Sequence, residues 1–208
     1  HTGAHVHIAH VASKGAIDII RQYKAKGVNV TSEVTVHHLT LTDEACATYN
    51  PATRVSPPLR SWDHVQAMRE AVLDGTVDAI VTDHAPHAPE EKDVEFRYAP
   101  CGFCGLETSL GVMLTDLYHT NIFDLKTIIS KMSCEPSKLF KLERGTLAEG
   151  SVADITIMDL NKEWTVDSSK FYTRGKFTPY EGKECKGKAV ATMLAGKFVM
   201  RDGVVCAK

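Results

Sequence analysis

No apolar run in this 208-residue chain reaches the roughly 18 residues that a membrane span requires. Neither sign of charge prevails: 24 Lys and Arg stand against 26 Asp and Glu, a net charge of −2. That balance supplies no electrostatic reason to expect nucleic acid or an anionic membrane surface as partner. There is no low-complexity tract, and 43% hydrophobic with 24% charged residues is globular composition, so disordered and collagen-like classes are set aside. No phosphate-binding loop is present, because Gly102-Phe-Cys-Gly105 lacks the strand-then-helix setting and the Lys that chemistry needs. A Ser-centred nucleophile elbow is absent too. The six cysteines, Cys46, Cys101, Cys104, Cys134, Cys185 and Cys206, are scattered and form no evident disulfide framework. The lone Cys101-x-x-Cys104 has no second pair to complete a zinc site, and its plain reading is two reduced thiols in a glycine-rich loop. An initiator Met and a secretory signal are missing, which leads to the expectation of a cytoplasmic protein whose upstream part is not included. What the chain does have is ten histidines, a share that points to metal or proton chemistry.

The pattern of apolar residues predicts an α/β protein. Residues 4–11 read as a strand, and Ser13 as the cap of a helix with Ile17, Ile20 and Tyr23 on one side, Lys24 and Lys26 in its last turn and Gly27 ending it. Alternation over 28–36 predicts a second strand, and Val65, Met68, Ala71 and Val72 predict a helix over 61–73. The run 77–82 is almost wholly apolar, as a buried strand requires. Strands separated by helices argue for βαβ units and a parallel sheet. A loop of about 84–105 follows, a length usual for functional segments, then helices over 106–118 and 125–132. From residue 145 the texture changes to a strand over 152–158 and a hairpin over 194–203, with turns at Gly196 and Asp202-Gly203. This gives two domains, 1–144 and 145–208.

Three clusters carry possible chemistry. His10 closes the first strand, where ligands and catalytic groups sit in parallel α/β folds. A period of two puts His10 on one face with Ala4, Val6 and Ile8, and turns His5 and His7 away from it. Asp83 closes the most apolar strand in Thr82-Asp-His-Ala-Pro-His87. An ionised carboxylate there is costly unless a cation or donor holds it, and beside a cation it can accept a proton. The alternative is an Asp capping the next turn, with His84 and His87 exposed. In Glu33-Val-Thr-Val-His-His38, strand parity lets only His37 share a face with Glu33 and Thr35, as ligand or as hydrogen-bonding support. By themselves these residues describe part of a hydrolytic metal site, since a catalytic zinc normally takes three protein ligands.

Taken in order, His7-Ile-Ala-His10-Val-Ala-Ser13, Glu33-Val-Thr-Val-His-His-Leu39, Pro57-Pro-Leu-Arg60, Thr82-Asp-His-Ala-Pro-His87, Gly105-Leu-Glu-Thr108, and Gly145-Thr-Leu through Ala153-Asp-Ile-Thr-Ile157 resemble the dihydroorotase family of the long bacterial type, within the amidohydrolase superfamily. The resemblance runs over essentially the whole chain, and the Asp-His-Ala-Pro-His string is its most specific element. It implies a (β/α)8 TIM-like barrel with a small β-sandwich, of which this chain holds strands six to eight and part of the sandwich. It implies a pair of zinc ions, with His10 a ligand of one and Asp83 a ligand of the other and the general base. His87 is implied to meet a substrate carboxylate, and the backbone around Cys101 and Gly102 to meet a pyrimidine ring. The implied reaction is the interconversion of dihydroorotate and N-carbamoyl-aspartate in pyrimidine biosynthesis, in a homodimer or together with another enzyme of that pathway.

Three departures qualify this. The remaining metal ligands of the family have no counterpart here and would lie upstream of residue 1, so this chain alone is expected to be inactive. Ser56 stands before Pro57-Pro58 where bacterial members usually carry an Asn that touches substrate, and a hydroxyl cannot reproduce an amide's donor and acceptor. Val36 replaces a common Pro. Two other readings stay open: a hydantoinase- or allantoinase-like cyclic amidase, and a catalytically inactive dihydroorotase-like scaffold subunit.

Overall fold

The computed structural model describes residues 2–206. Three short strands, β1 (Val6–Ile8), β2 (Val30–Thr35) and β3 (Ala79–Val81), pair in parallel in the order β1-β2-β3. The helices between them are those that apolar spacing predicts. Helix α1 (Lys14–Ala25) is capped by Ser13, whose side chain accepts from the Ala16 N–H, and it buries Ile17 and Ile20. Gly27 follows at φ +75° and turns the chain toward β2. A one-turn helix α2 (Val36–Thr40) leaves β2, with the Thr35 hydroxyl accepting from His38 N–H. Helix α3 (Trp62–Leu73) buries Val65, Met68, Ala71 and Val72, and packs against α1 and α2. Each such buried Val, Ile or Met contributes on the order of 1.5–3 kcal/mol, so this small core is what holds the strand ends in place.

All three strands are shorter than expected. β1 stops at Ile8 rather than 11, β2 at Thr35 rather than 36, and β3 at Val81 rather than 82. The residues freed at their carboxyl ends include His10 and Thr82, while the apolar Val11 and Val36 among them stay buried. The loop after β3 contains one helical turn, α4 (Pro89–Lys92). These elements, together with Val166–Lys183, make up one compact unit of the chain, which runs to Ser109.

The second unit takes Leu110–Thr165 and the chain from Glu184 onward. Helix α5 (Ser109–Met113) runs on into a wider π-type turn over Leu114–Tyr118. Helix α6 (Leu125–Ile129) does the same over Ser130–Cys134 before α7 (Glu135–Leu139). Strands β4 (Ile155–Thr165), β5 (Glu184–Leu194), β6 (Lys197–Arg201) and β7 (Val204–Val205) form an antiparallel sheet in chain order. Both expected turns are present, one at Ala195-Gly196 and one at Asp202-Gly203. The unanticipated element is β5, whose Glu-Cys-Lys-Gly-Lys start hides a strand behind polar residues. Gly187 within it has φ +104°, and a Cβ there would lie 2.6 Å from Leu114.

Candidate metal centre and substrate loop

Because β1, β2 and β3 are parallel, their carboxyl ends emerge on one side. His10 lies two residues beyond β1, Asp83 two beyond β3, and Glu33 within β2 between them. His10 and Asp83 both adopt left-handed backbone, at φ 53° and 48°. For a non-glycine residue that conformation costs about 1–3 kcal/mol and persists only where the surroundings enforce it. Here Val11 N–H, next to His10, donates to the Glu33 carbonyl at 2.9 Å. The two bends swing the side chains toward one another: His10 Nε2 is 3.5 Å from Asp83 Oδ1.

Glu33 joins the group from the middle strand. Its Oε2 lies 3.0 Å from His7 Nε2 and its Oε1 3.0 Å from His10 Nδ1. The second approach is a charge contact that is not aligned as a hydrogen bond, and the buried Nδ1 has no other partner. Behind His7, the Thr31 hydroxyl is 2.8 Å from both His7 Nδ1 and His5 Nε2.

This corrects the parity argument for the first strand. His7 was expected to point away from whatever His10 faces, yet both rings meet Glu33. Alternation holds only while the backbone is extended, and it ends at Ile8, two residues before the left-handed turn at His10. The same cause corrects the reading of His37 and His38. Both are in α2 rather than on a strand, and both are buried. His38 is held by Thr35 Oγ1 at 2.7 Å and the Pro57 carbonyl at 3.1 Å. His37 packs against His38 and edge-on against Phe103, at ring separations of 4.4 and 5.1 Å, and neither of its nitrogens has a hydrogen-bond partner.

The electrostatics follow from burial. Burial pushes the Asp83 carboxyl above its usual range, with the Glu33 charge adding to the effect and His10 opposing it. Burial likewise holds the His37 imidazole well below 6.5, helped by His38 and His10. It brings His38 down to about 4 against the opposing pull of the Pro57 and Pro58 carbonyls.

The loop after β3 is folded on itself. His84 bridges Phe103, Ala85 N–H donates to the Phe103 carbonyl at 3.0 Å, and Leu106 N–H reaches His84 Nδ1 at 3.2 Å. His87 Nε2 donates to the Cys101 carbonyl at 2.9 Å, and the Gly102 N–H donates to the Arg54 carbonyl at 2.9 Å. His87, Cys101 and Gly102 are therefore brought together, and the Arg54 link ties them to the segment that carries exposed Ser56. Gly102 has φ +117°, and a Cβ there would come within 2.5 Å of the Ala85 Cβ. Lys92 was not anticipated. It is fully buried, donates to the Pro100 carbonyl at 2.7 Å, and is pulled down to about 8 by burial. Only a lysine in a loop is visible in the sequence, and nothing there marks it as interior. Cys101 is exposed while Cys104 is buried, its thiol pushed up by that burial.

A metal site is tested by whether the donors stand where ligands stand. In a two-metal site the ions lie roughly 3.5–4 Å apart, so ligands of neighbouring ions can stand close together. The 3.5 Å between His10 Nε2 and Asp83 Oδ1 leaves the two donors close together at the strand ends and is long for a hydrogen bond. Imidazole and carboxylate are also donors that zinc accepts. Among the described residues, no group of three or more His, Cys, Asp and Glu is arranged around one metal position. The pair fits as a partial ligand set.

A parallel α/β body with a histidine and an aspartate converging from strand ends defines the class. The profile of the amidohydrolase family matches residues 1–199, and the chain belongs to that family. Within it, the chain is 49% identical over 201 residues to a dihydroorotase of Syntrophus aciditrophicus, covering 97% of this chain and 47% of that one. It is 47% identical over 204 residues to a dihydroorotase of Pelotomaculum thermopropionicum, covering 98% and 48%. Among solved structures it is similar to the L-hydantoinase (dihydropyrimidinase) of Arthrobacter aurescens, with a TM-score of 0.93 at 32% identity, covering 98% of this chain and 46% of that one. The dihydropyrimidinase of Brevibacillus agri shares the fold, with a TM-score of 0.91 at 24% identity, over 98% and 46%. The chain spans about half the length of the relatives it matches. No helix among the described residues is long and apolar enough to cross a membrane.

Proposed function

We propose that the chain is part of a zinc-dependent dihydroorotase, a cyclic amidohydrolase that interconverts dihydroorotate and N-carbamoyl-aspartate in pyrimidine biosynthesis. The observation that carries this reading is the 3.5 Å approach of His10 Nε2 to Asp83 Oδ1 at the carboxyl ends of parallel strands. The relatives named dihydroorotase, at 47–49% identity, support the substrate. In this reading β1, β2 and β3 are strands six, seven and eight of a (β/α)8 barrel. Residues 1–144 then belong to the barrel and its helical extension, and 145–208 to a β-sandwich.

His10 would hold one zinc ion and Asp83 the other. Bound there, the metal supplies Lewis acidity, polarising the amide carbonyl and making water a stronger acid. Asp83 takes the proton of the attacking water at its carboxylate and returns it to the nitrogen released when the C–N bond breaks. His87 binds the substrate carboxylate, and Ser56 with the backbone of Cys101 and Gly102 borders the ring. Two ligands do not hold two ions, so residues 1–208 alone are expected to be inert, and the complete protein is read as a cytoplasmic homodimer.

The test is an assay on the full-length protein with metal analysis. Zinc together with turnover of dihydroorotate supports the reading. Zinc with turnover of hydantoin or dihydropyrimidine instead favours a hydantoinase, the second reading, which rests on the solved structure at 32% identity. A full-length protein that lacks both zinc and turnover would be the inactive scaffold.

A further inference from the structure

The three strands carry a connected set of polar groups beyond the two proposed ligands. His5 Nε2 lies 2.8 Å from Thr31 Oγ1, which lies 2.8 Å from His7 Nδ1. His7 Nε2 lies 3.0 Å from Glu33 Oε2, and Glu33 Oε1 lies 3.0 Å from His10 Nδ1. Proton directions along this path follow from its far end. A carboxylate only accepts, so His7 Nε2 carries the hydrogen it gives to Oε2. The Nδ1 of that tautomer accepts from the Thr31 hydroxyl, whose oxygen is then free to accept from His5 Nε2. Each donor and acceptor on the path is used consistently. The carboxylate is thereby pinned by one oxygen, with the other turned to His10.

We infer that Glu33, held by Thr31 and His7, is a positioning residue that fixes the His10 tautomer with hydrogen on Nδ1 and leaves the Nε2 lone pair facing Asp83. This rests on the proposed role of His10 as a metal ligand. His10 Nδ1 is buried without an aligned hydrogen bond among the described residues, and the Glu33 carboxylate charge 3.0 Å away favours a hydrogen on that nitrogen. An imidazole ligates through the nitrogen that lacks hydrogen, so whatever takes the hydrogen of Nδ1 decides whether Nε2 can bind. The supporting carboxylate comes from the neighbouring strand, and its own orientation is set by His7 on β1 and, through it, Thr31 on β2.

The deciding substitution is Glu33→Gln, which keeps shape but changes what the group can do. Its carbonyl oxygen still accepts from His7 Nε2–H, and its NH2 then faces His10 Nδ1 as a donor. That favours the opposite tautomer and puts a hydrogen on Nε2, where the metal should be. The experiment uses the full-length protein with histidine 15N-labelled. It reads the ring-nitrogen shifts of His10 in the metal-free state and zinc affinity by chelator competition. In the wild type, His10 is expected as the Nδ1–H tautomer; in Glu33→Gln it is expected to shift toward Nε2–H, with zinc affinity down about 10–100-fold. Thr31→Val, which removes one contact of His7 without touching the carboxylate, is expected to give a smaller loss, and it serves as the readout should Glu33→Gln not fold. His10→Ala separates the two levels. If it leaves zinc stoichiometry unchanged, the metal reading itself fails. If it removes zinc while Glu33→Gln, or Thr31→Val in its place, leaves the tautomer and the affinity unchanged, the positioning role is overturned.

Discussion

His10 and Asp83 end two strands that are not paired with each other, yet their side chains meet at 3.5 Å, because both backbones turn left-handed just past the strand ends. The strand between them contributes Glu33 rather than a third member of that pair. In the proposed reading, proton handling falls to Asp83 and ligand support to Glu33, which makes the two carboxylates distinguishable by substitution.

Asp83→Asn in the full-length protein keeps the shape of the side chain but removes its ability to take a proton. General base catalysis contributes roughly 10²–10⁴-fold, so kcat on dihydroorotate should fall by about that factor. The loss is expected in kcat rather than in KM, because no substrate contact is assigned to Asp83. Steady-state kinetics with metal content measured in parallel check this. A variant that keeps both zinc and full kcat would remove Asp83 from the chemistry.

Acid should destabilise the protein through the buried histidines of α2. The His38 imidazole sits near 4 in the folded state against 6.5 for the free side chain. As pH falls below 6.5 the unfolded chain takes up a proton that the folded protein refuses until about 4. Stability is therefore whole above 6.5 and lost progressively down to 4, by on the order of 3 kcal/mol from this residue. His37, depressed in the same direction, adds to the loss. Thermal unfolding of the wild type should drop steeply between pH 6.5 and 4, and His38→Gln should flatten that slope. A slope unchanged by the substitution would show that other groups govern the acid limb.

How far these features were legible beforehand differs from residue to residue. Apolar spacing located α1 and α3 closely, since a helix that buries Ile17, Ile20, Val65 and Met68 must repeat them at helical intervals. The motifs also marked His10, Asp83 and the 84–105 loop. What could not be read was the point at which each strand ends. Parity arguments for His7, His37 and His38 assumed extended backbone, and the chain leaves that state at Ile8 and at Thr35. The interior position of Lys92 was equally hidden, since it depends on the loop folding back to bring the Pro100 carbonyl within 2.7 Å. Strand β5 escaped because its face alternates around a glycine and three charged residues.

Gly102 should tolerate no side chain. Its φ of +117° disfavours any L residue, and a Cβ would lie 2.5 Å from the Ala85 Cβ and 3.4 Å from His87 Nε2. Gly102→Ala is expected to cost about 1–3 kcal/mol through backbone strain and to displace His87. KM for dihydroorotate should then rise severalfold or more. Gly75→Ala is the control, because Gly75 also has positive φ but open space around it. That variant should lose stability while KM stays at the wild-type value. Equal effects on KM in the two variants would detach the 102 position from substrate.

Ser56 is the position where more function is to be gained than lost. It is exposed, and it precedes Pro57, whose carbonyl is engaged by His38 Nε2, so the backbone beside it is anchored while its side chain is free to meet a ligand. A hydroxyl offers one donor on a short arm, whereas an Asn offers both an NH2 and a carbonyl. Ser56→Asn should therefore tighten substrate binding by the worth of about one hydrogen bond, 0.5–1.5 kcal/mol, which is roughly a 2–10-fold fall in KM. With kcat unchanged, that result would assign the position to ground-state binding. A KM that stays the same or rises, with the melting temperature preserved, would instead mean that substrate does not reach residue 56.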